Sequence, residues 1–350
     1  MTGSKKKFQR GTAENGLIAR IREYRVELMG VAMVLIMLYH STYRIPNAAV
    51  SGIYSHIRWL FSIGVDLFFL LSGFGLYHSM RRDPNPWHFY KKRLLRIFPT
   101  YFLFAAAWFV ISLALRIETA ASFLWKYTLI SFFISGEATV WFISAIILLY
   151  LLFPLLYRTA ERARVVLYLL SAVLYLGSFY CMTQLGECAL EGIARLFAVR
   201  VPTFFAGLLL AQRACRQEDF ELPPLRSALL LLGCLILLTV NSFADLFFCR
   251  WLERVLFLPC SILLCGTVGS ALHGLKKRKI SWRFLSVLGQ ITLPVYLIHE
   301  RVLLVYTTYS NYSTVAIFFM NIAAYVLAVF AAWHLNRLSG FLTKRFAKAV

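Results

Sequence analysis

Apolar runs of membrane-spanning length alternate with short basic segments along most of this chain. About 17–25 apolar residues in helical form cross a hydrocarbon core of about 30 Å. Ten such runs are read, near residues 27–44, 59–79, 97–116, 139–157, 164–181, 192–211, 225–242, 252–272, 285–305 and 314–335. The stretch 122–135 is apolar but too short to cross, and a re-entrant or interfacial piece is expected there. Of the 37 lysines and arginines, 28 fall in the N-terminal segment and every second connection, counting the C-terminal tail. The positive-inside rule then places both termini in the cytoplasm. The pattern predicts an all-α fold, a polytopic transmembrane helical bundle of about ten spans. It divides into a basic segment (1–25), one membrane domain (26–336) and a short basic tail (337–350).

Composition agrees with that reading and removes others. The 350 residues are 60% hydrophobic and 15% charged, a balance that excludes an ordinary soluble domain. A net charge of +21 suggests nucleic acid until its placement is considered. The blocks at 5–7, 91–93 and 276–279 lie at the ends of apolar runs, so they are topogenic charge with affinity for anionic membrane lipids. No nucleic-acid partner is expected. The basic start followed by an apolar run reads as a retained signal-anchor, because no small-residue cleavage site follows Ser41. Seven cysteines show no CxxC pair and no zinc-like spacing, so no metal is expected. Cys181 and Cys188 flank an expected outer loop, where either a disulfide or two thiols fits.

Titratable groups inside the apolar runs are the first candidates for chemistry, since such groups are costly in a membrane. His40 lies about nine residues, or roughly 14 Å, beyond Val31 on an outward-running helix, in the outer half of the bilayer. Asp66 lies on the returning helix near the same level, where a carboxylate can orient the imidazole of a general base. The alternative for each is a buried polar group bonded to a neighbouring helix. Arg93 and Arg96, three apart before Pro99, share one helix face at the cytoplasmic mouth and suit phosphate. Arg82 stands nearby, although ordinary positive-inside charge accounts for it. Weaker candidates for an outer, substrate-facing cavity are His299, Glu300, Glu137 and Arg254.

Four motifs in order carry a resemblance: GVDLFFLLSGF at 64–74, YKKRLLRIFPTY at 90–101, TVWFIS at 139–144 with YLLFP at 150–154, and LGQITLPVYLIH at 288–299. Together they resemble the acyltransferase 3 family of integral membrane acyltransferases. The resemblance implies transfer of an acyl group, commonly acetyl from acetyl-CoA, to a hydroxyl of an exported or cell-envelope glycan. It implies a catalytic role for His40 and a cofactor-side role for Arg93 and Arg96. The acceptor would be an envelope glycan or lipid-linked sugar, and the location a bacterial inner or plasma membrane. Two positions depart from the family pattern. The arginine usual eleven residues before the histidine is Met29, with Arg25 one helical turn further back. The glutamate usual after the Trp-Phe-x-Ser motif is replaced by Ile146 and Ile147. The competing readings are an exporter of a lipid-linked or anionic molecule, with the polar groups as relay residues, and an inactive family member. Inverted repeats, which would favour the exporter, are not visible.

Overall fold

In a computed structural model the chain is helical throughout, with no strand among the described residues, which are 16–41, 48–218, 222–243, 249–280, 282–308 and 313–349. A chain that is apolar on every face must satisfy its backbone internally, and the helix does so within each segment. The helices are α1 (Leu17–Glu23), α2 (Arg25–His40), α3 (Ala48–Leu60), α4 (Ile63–Arg82), α5 (Pro86–Ala114), α6 (Ala120–Lys126), α7 (Ser131–Ser135) and α8 (Trp141–Gln184). They continue with α9 (Ala189–Leu196), α10 (Val201–Cys215), α11 (Pro224–Phe243), α12 (Cys249–Lys277), α13 (Arg283–Gln290), α14 (Thr292–Thr308) and α15 (Thr314–Ala349).

Among the described residues seven helices are long and apolar enough to cross a membrane, or eight if the bent pair α13–α14 makes one crossing. The expected runs 139–157 and 164–181 both lie on α8, whose 44 residues leave helical geometry at Ala163 (φ −148°, ψ 57°). The kink is held by Glu161, which accepts from the Tyr77 hydroxyl at 2.6 Å and from Gln212 Nε2 at 3.2 Å. α2, with 16 residues, falls short of a full crossing by length alone. The short apolar stretch near 122–135 forms α6 and α7, neither long enough to span. The basic N-terminal segment is not polar throughout: Leu17, Ile18 and Ile21 of α1 are buried, and Leu17 lies against Gly266 of α12. Helix α15 continues to Ala349, through the expected tail. Cys181 and Cys188 are free thiols.

Two contacts place the elements that matter. α4 and α10 cross backbone to backbone: a Cβ on Gly207 would come 1.9 Å from the Leu70 carbonyl, and one on Gly73 2.2 Å from that of Phe204. Small residues at such crossings let membrane helices pack closely where no hydrophobic drive separates lipid from protein. At Ile291 the chain turns by 86°, so that amphipathic α13 lies across the direction of α14. The start of α14 is thereby brought into the interior beside α2 and α5. Outward faces of α8, α11 and α15 expose Leu169, Val173, Leu229, Ile236, Phe319 and Phe330, the apolar surface that meets lipid.

Candidate functional site

Arg93 and Arg96 stand one turn apart near the start of α5, which Asn85 caps by accepting from the Trp87 and His88 amides, with Pro86 in the first turn. That cap fixes where the helix begins and so which way both guanidiniums face. Both line a cavity of about 680 Å³, its open mouth included. A third arginine joins them. Arg25, the first residue of α2, donates from Nε to the Leu71 carbonyl of α4 at 2.9 Å and lines the same cavity. Gly75 makes this possible, because a Cβ there would stand 2.3 Å from Arg25 Nη2. No carboxylate is among the lining residues, and Arg93 Nε is buried without an acceptor. Thr292 and Leu293 add the N-terminal turn of α14, whose free amides carry partial positive charge. Three guanidiniums, a helix start and no acid make a site for a polyanion.

Met29 and Ile146, the residues standing where the family usually has charge, line this cavity too. Arg25, one helical turn before Met29, lines the cavity with it. Arg82, in contrast, is exposed at the end of α4 and is not among the lining residues.

On the far side lies a second, smaller pocket, about 210 Å³ with its open mouth included and barely roomy enough for one water, lined by Thr139, Tyr127, Tyr296, Glu300 and Arg301 among others. Arg301 Nη2 donates to the Thr139 carbonyl at 3.2 Å and its guanidinium stands over the Tyr127 ring. Burial pushes the Tyr127 phenol above its ordinary range, with Arg301 pulling the other way, so Tyr127 stays a neutral hydroxyl. His40, the last residue of α2, is not among the lining residues but stands beside Glu300, its side chain 30% exposed. Its Nδ1 is 3.8 Å from Glu300 Oε1, and its ring meets that of His299 edge-on at 5.2 Å between centroids. His299 Nδ1 lies 2.8–3.0 Å from the carbonyls of Tyr296 and Val295. Carbonyls only accept, so that nitrogen carries the proton, and the buried Nε2 faces no donor.

The structure brings His40, His299 and Glu300 together and separates them from the other predicted residues. Asp66 does not meet His40. Its Oδ2 is 3.4 Å from Arg200 Nε, both side chains being fully buried, in an angle that leaves both Asp66 oxygens without a hydrogen bond. Asp66 faces Arg200 and Arg254, while Glu300 of α14 supplies the carboxylate near His40. Arg254 lines neither cavity. It donates to Ser62 Oγ at 3.3 Å and lies 4.5 Å over the Trp59 ring, whose Nε1 donates to Glu253 at 2.6 Å. Glu137 is spent locally, accepting from the Thr139 amide at 3.0 Å and hydroxyl at 2.6 Å, next to the pocket rather than in it. Sequence reasoning passed over Arg25 as a site residue and did not consider Tyr296, which lines both cavities.

No group of three or more His, Cys, Asp or Glu side chains suited to a metal occurs among the described residues. No curated protein and no solved structure matches the chain. The family model described as an acyltransferase domain matches residues 28–334, a span that begins in α2, ends in α15 and holds every residue lining the two cavities except Arg25. With several apolar helices of spanning length and this match over most of its length, the chain belongs to the acyltransferase 3 family, as a multi-pass membrane acyltransferase.

Proposed function

We propose that the protein moves an acyl group, acetyl in the first instance, from acyl-CoA to a hydroxyl of an exported or envelope glycan, or of a lipid-linked sugar. The reading places it in a bacterial inner or plasma membrane. The observation that carries it is a cavity ringed by Arg25, Arg93 and Arg96 next to a second pocket lined by Glu300, with His40 3.8 Å from that carboxylate and Tyr296 lining both spaces. The arginine cavity suits the phosphates of a nucleotide-bearing donor, since guanidiniums bind phosphate through paired N–H bonds. The positive-inside distribution puts that cavity on the cytoplasmic side, where such a donor is available.

The donor supplies an activated acyl carbon as its thioester. His40 takes the proton of the acceptor hydroxyl as the oxygen bonds to that carbon, and the proton then passes to the sulfur as the carbon–sulfur bond breaks. Glu300 lies near enough to His40 to stabilise the imidazolium formed in between. His299, held as the Nδ1–H tautomer, presses against the His40 ring and limits its rotation. Arg301 and Thr139 offer polar contacts to the acceptor from the outer pocket. Asp66 stands outside this set and is read as a helix-locking charge.

The test is transfer of radiolabel from acetyl-CoA to an envelope glycan fraction by the protein in proteoliposomes, alongside mass spectrometry of surface glycans with and without the gene. Label that appears with wild type and disappears with folded His40→Ala supports the reading. Full transfer by that variant sinks it.

A further inference from the structure

We infer that Tyr296, backed by Phe142, is the stop that sets how long an acyl group the protein accepts; the inference rests on the acyl-transfer reading above. Tyr296 lines both the arginine cavity and the outer pocket, so it stands where the two spaces meet and narrows the way between them. Phe142 also lines the arginine cavity and lies 5.2 Å from Tyr296, centroid to centroid. It is braced from behind by Phe68 at 5.9 Å, Phe69 at 5.8 Å and Trp141 at 5.9 Å, so it has little room to retreat. On its other side Tyr296 is 6.0 Å from the His299 ring, which touches His40.

A donor whose phosphates sit among Arg25, Arg93 and Arg96 therefore sends its acyl end toward this aromatic wall. The last surroundings before the wall are apolar, formed by Ile146, Phe68 and Phe142. A short acyl group is solvated there. Each further methylene meets the Tyr296 ring, and beyond it stand Glu300, Arg301 and Thr139, polar walls that an alkyl chain does not repay. Steric exclusion and solvation thus act in one direction. Tyr296→Ala removes the ring, joins the two spaces and admits longer chains. Tyr296→Phe keeps the ring and keeps the selectivity, because volume and not the hydroxyl does the excluding.

The experiment measures binding and turnover on the full chain in lipid nanodiscs, with CoA, acetyl-CoA, butyryl-CoA and hexanoyl-CoA as probes. In wild type, affinity is expected to fall from acetyl to hexanoyl. In Tyr296→Ala, hexanoyl-CoA should bind more tightly than CoA, and the acetyl-over-hexanoyl preference in kcat/KM should drop at least about tenfold, the range that one or two methylenes command in a fitted pocket. Tyr296→Phe should keep the wild-type order of preference among chain lengths, whatever its absolute rate. A uniform loss over all chain lengths, or an unchanged profile with binding intact, overturns the inference and leaves the acyl-transfer reading standing. Failure of every CoA species to bind wild type overturns both. Should Tyr296→Ala not fold, Phe142→Leu tests the same wall from its other face, with the same shift toward longer chains expected and an unshifted profile decisive against it.

Discussion

Replacing Asp66 by Asn tests whether this buried carboxylate holds helices together or takes part in chemistry. Asp66 has no exposed surface and Arg200 is 2% exposed, with 3.4 Å between Nε and Oδ2. A unit pair at that distance, with an effective dielectric of about 20, interacts by about 5 kcal/mol. Removing one partner of a buried pair leaves the other desolvated, at a cost of about 3–5 kcal/mol. Arg200 retains its bonds to the Arg195 and Leu196 carbonyls, and Arg254 retains Ser62 and the Trp59 ring, so the lower half of that range is expected. The assay is reversible unfolding in mixed micelles with increasing denaturing detergent, paired with acyl transfer per folded molecule. Asp66→Asn should lose about 3 kcal/mol while its folded fraction keeps most of its turnover. The double variant Asp66→Leu/Arg200→Met should recover more than half of the loss, since it removes both desolvated charges. A variant as stable as wild type but nearly without turnover would refute the reasoning and return Asp66 to the catalytic set.

Other outcomes follow from the two cavities. His40→Ala should fold normally, its side chain being partly exposed, and lower kcat by about 10²–10⁴-fold; circular dichroism and turnover check both. Glu300→Gln should cost less than His40→Ala and should leave the donor KM unchanged, because Glu300 lines the outer pocket alone. Gly75→Ala puts a methyl 2.3 Å from Arg25 Nη2, so it should raise the KM for acyl-CoA with little change in kcat. Arg93→Gln and Arg96→Gln should each weaken acyl-CoA binding by about 1.5–3 kcal/mol, the worth of a charged hydrogen bond, and lessen its dependence on salt. Equal CoA affinity in these variants, measured by calorimetry, would take the donor away from this cavity.

The membrane class and the ordering of the helices were legible in the chain because both depend on local quantities, hydropathy and charge, that act residue by residue. The same holds for Arg93 and Arg96, whose spacing of three settles that they share a face, although their helix begins at Pro86, well ahead of the expected run at 97–116, with Pro99 inside it. That His40 belongs to the first long apolar helix was legible as well, although the helix ends at His40 rather than running on to residue 44. Direction was not. Asp66 and His40 do not share a partner, because the azimuth of a side chain depends on how its helix packs, and α4 is turned by the Gly73–Gly207 crossing toward α10. Glu300 near His40, Arg25 in the arginine cavity and Tyr296 between two cavities each join residues from different helices. Such contacts are set by crossing geometry and by the 86° break at Ile291, which no run of one segment encodes. The sequence by itself determined a basic, membrane-embedded helical chain with its chemistry inside; the tertiary structure alone decided which charges meet, because in a bundle that is apolar on every face the partners are chosen by packing.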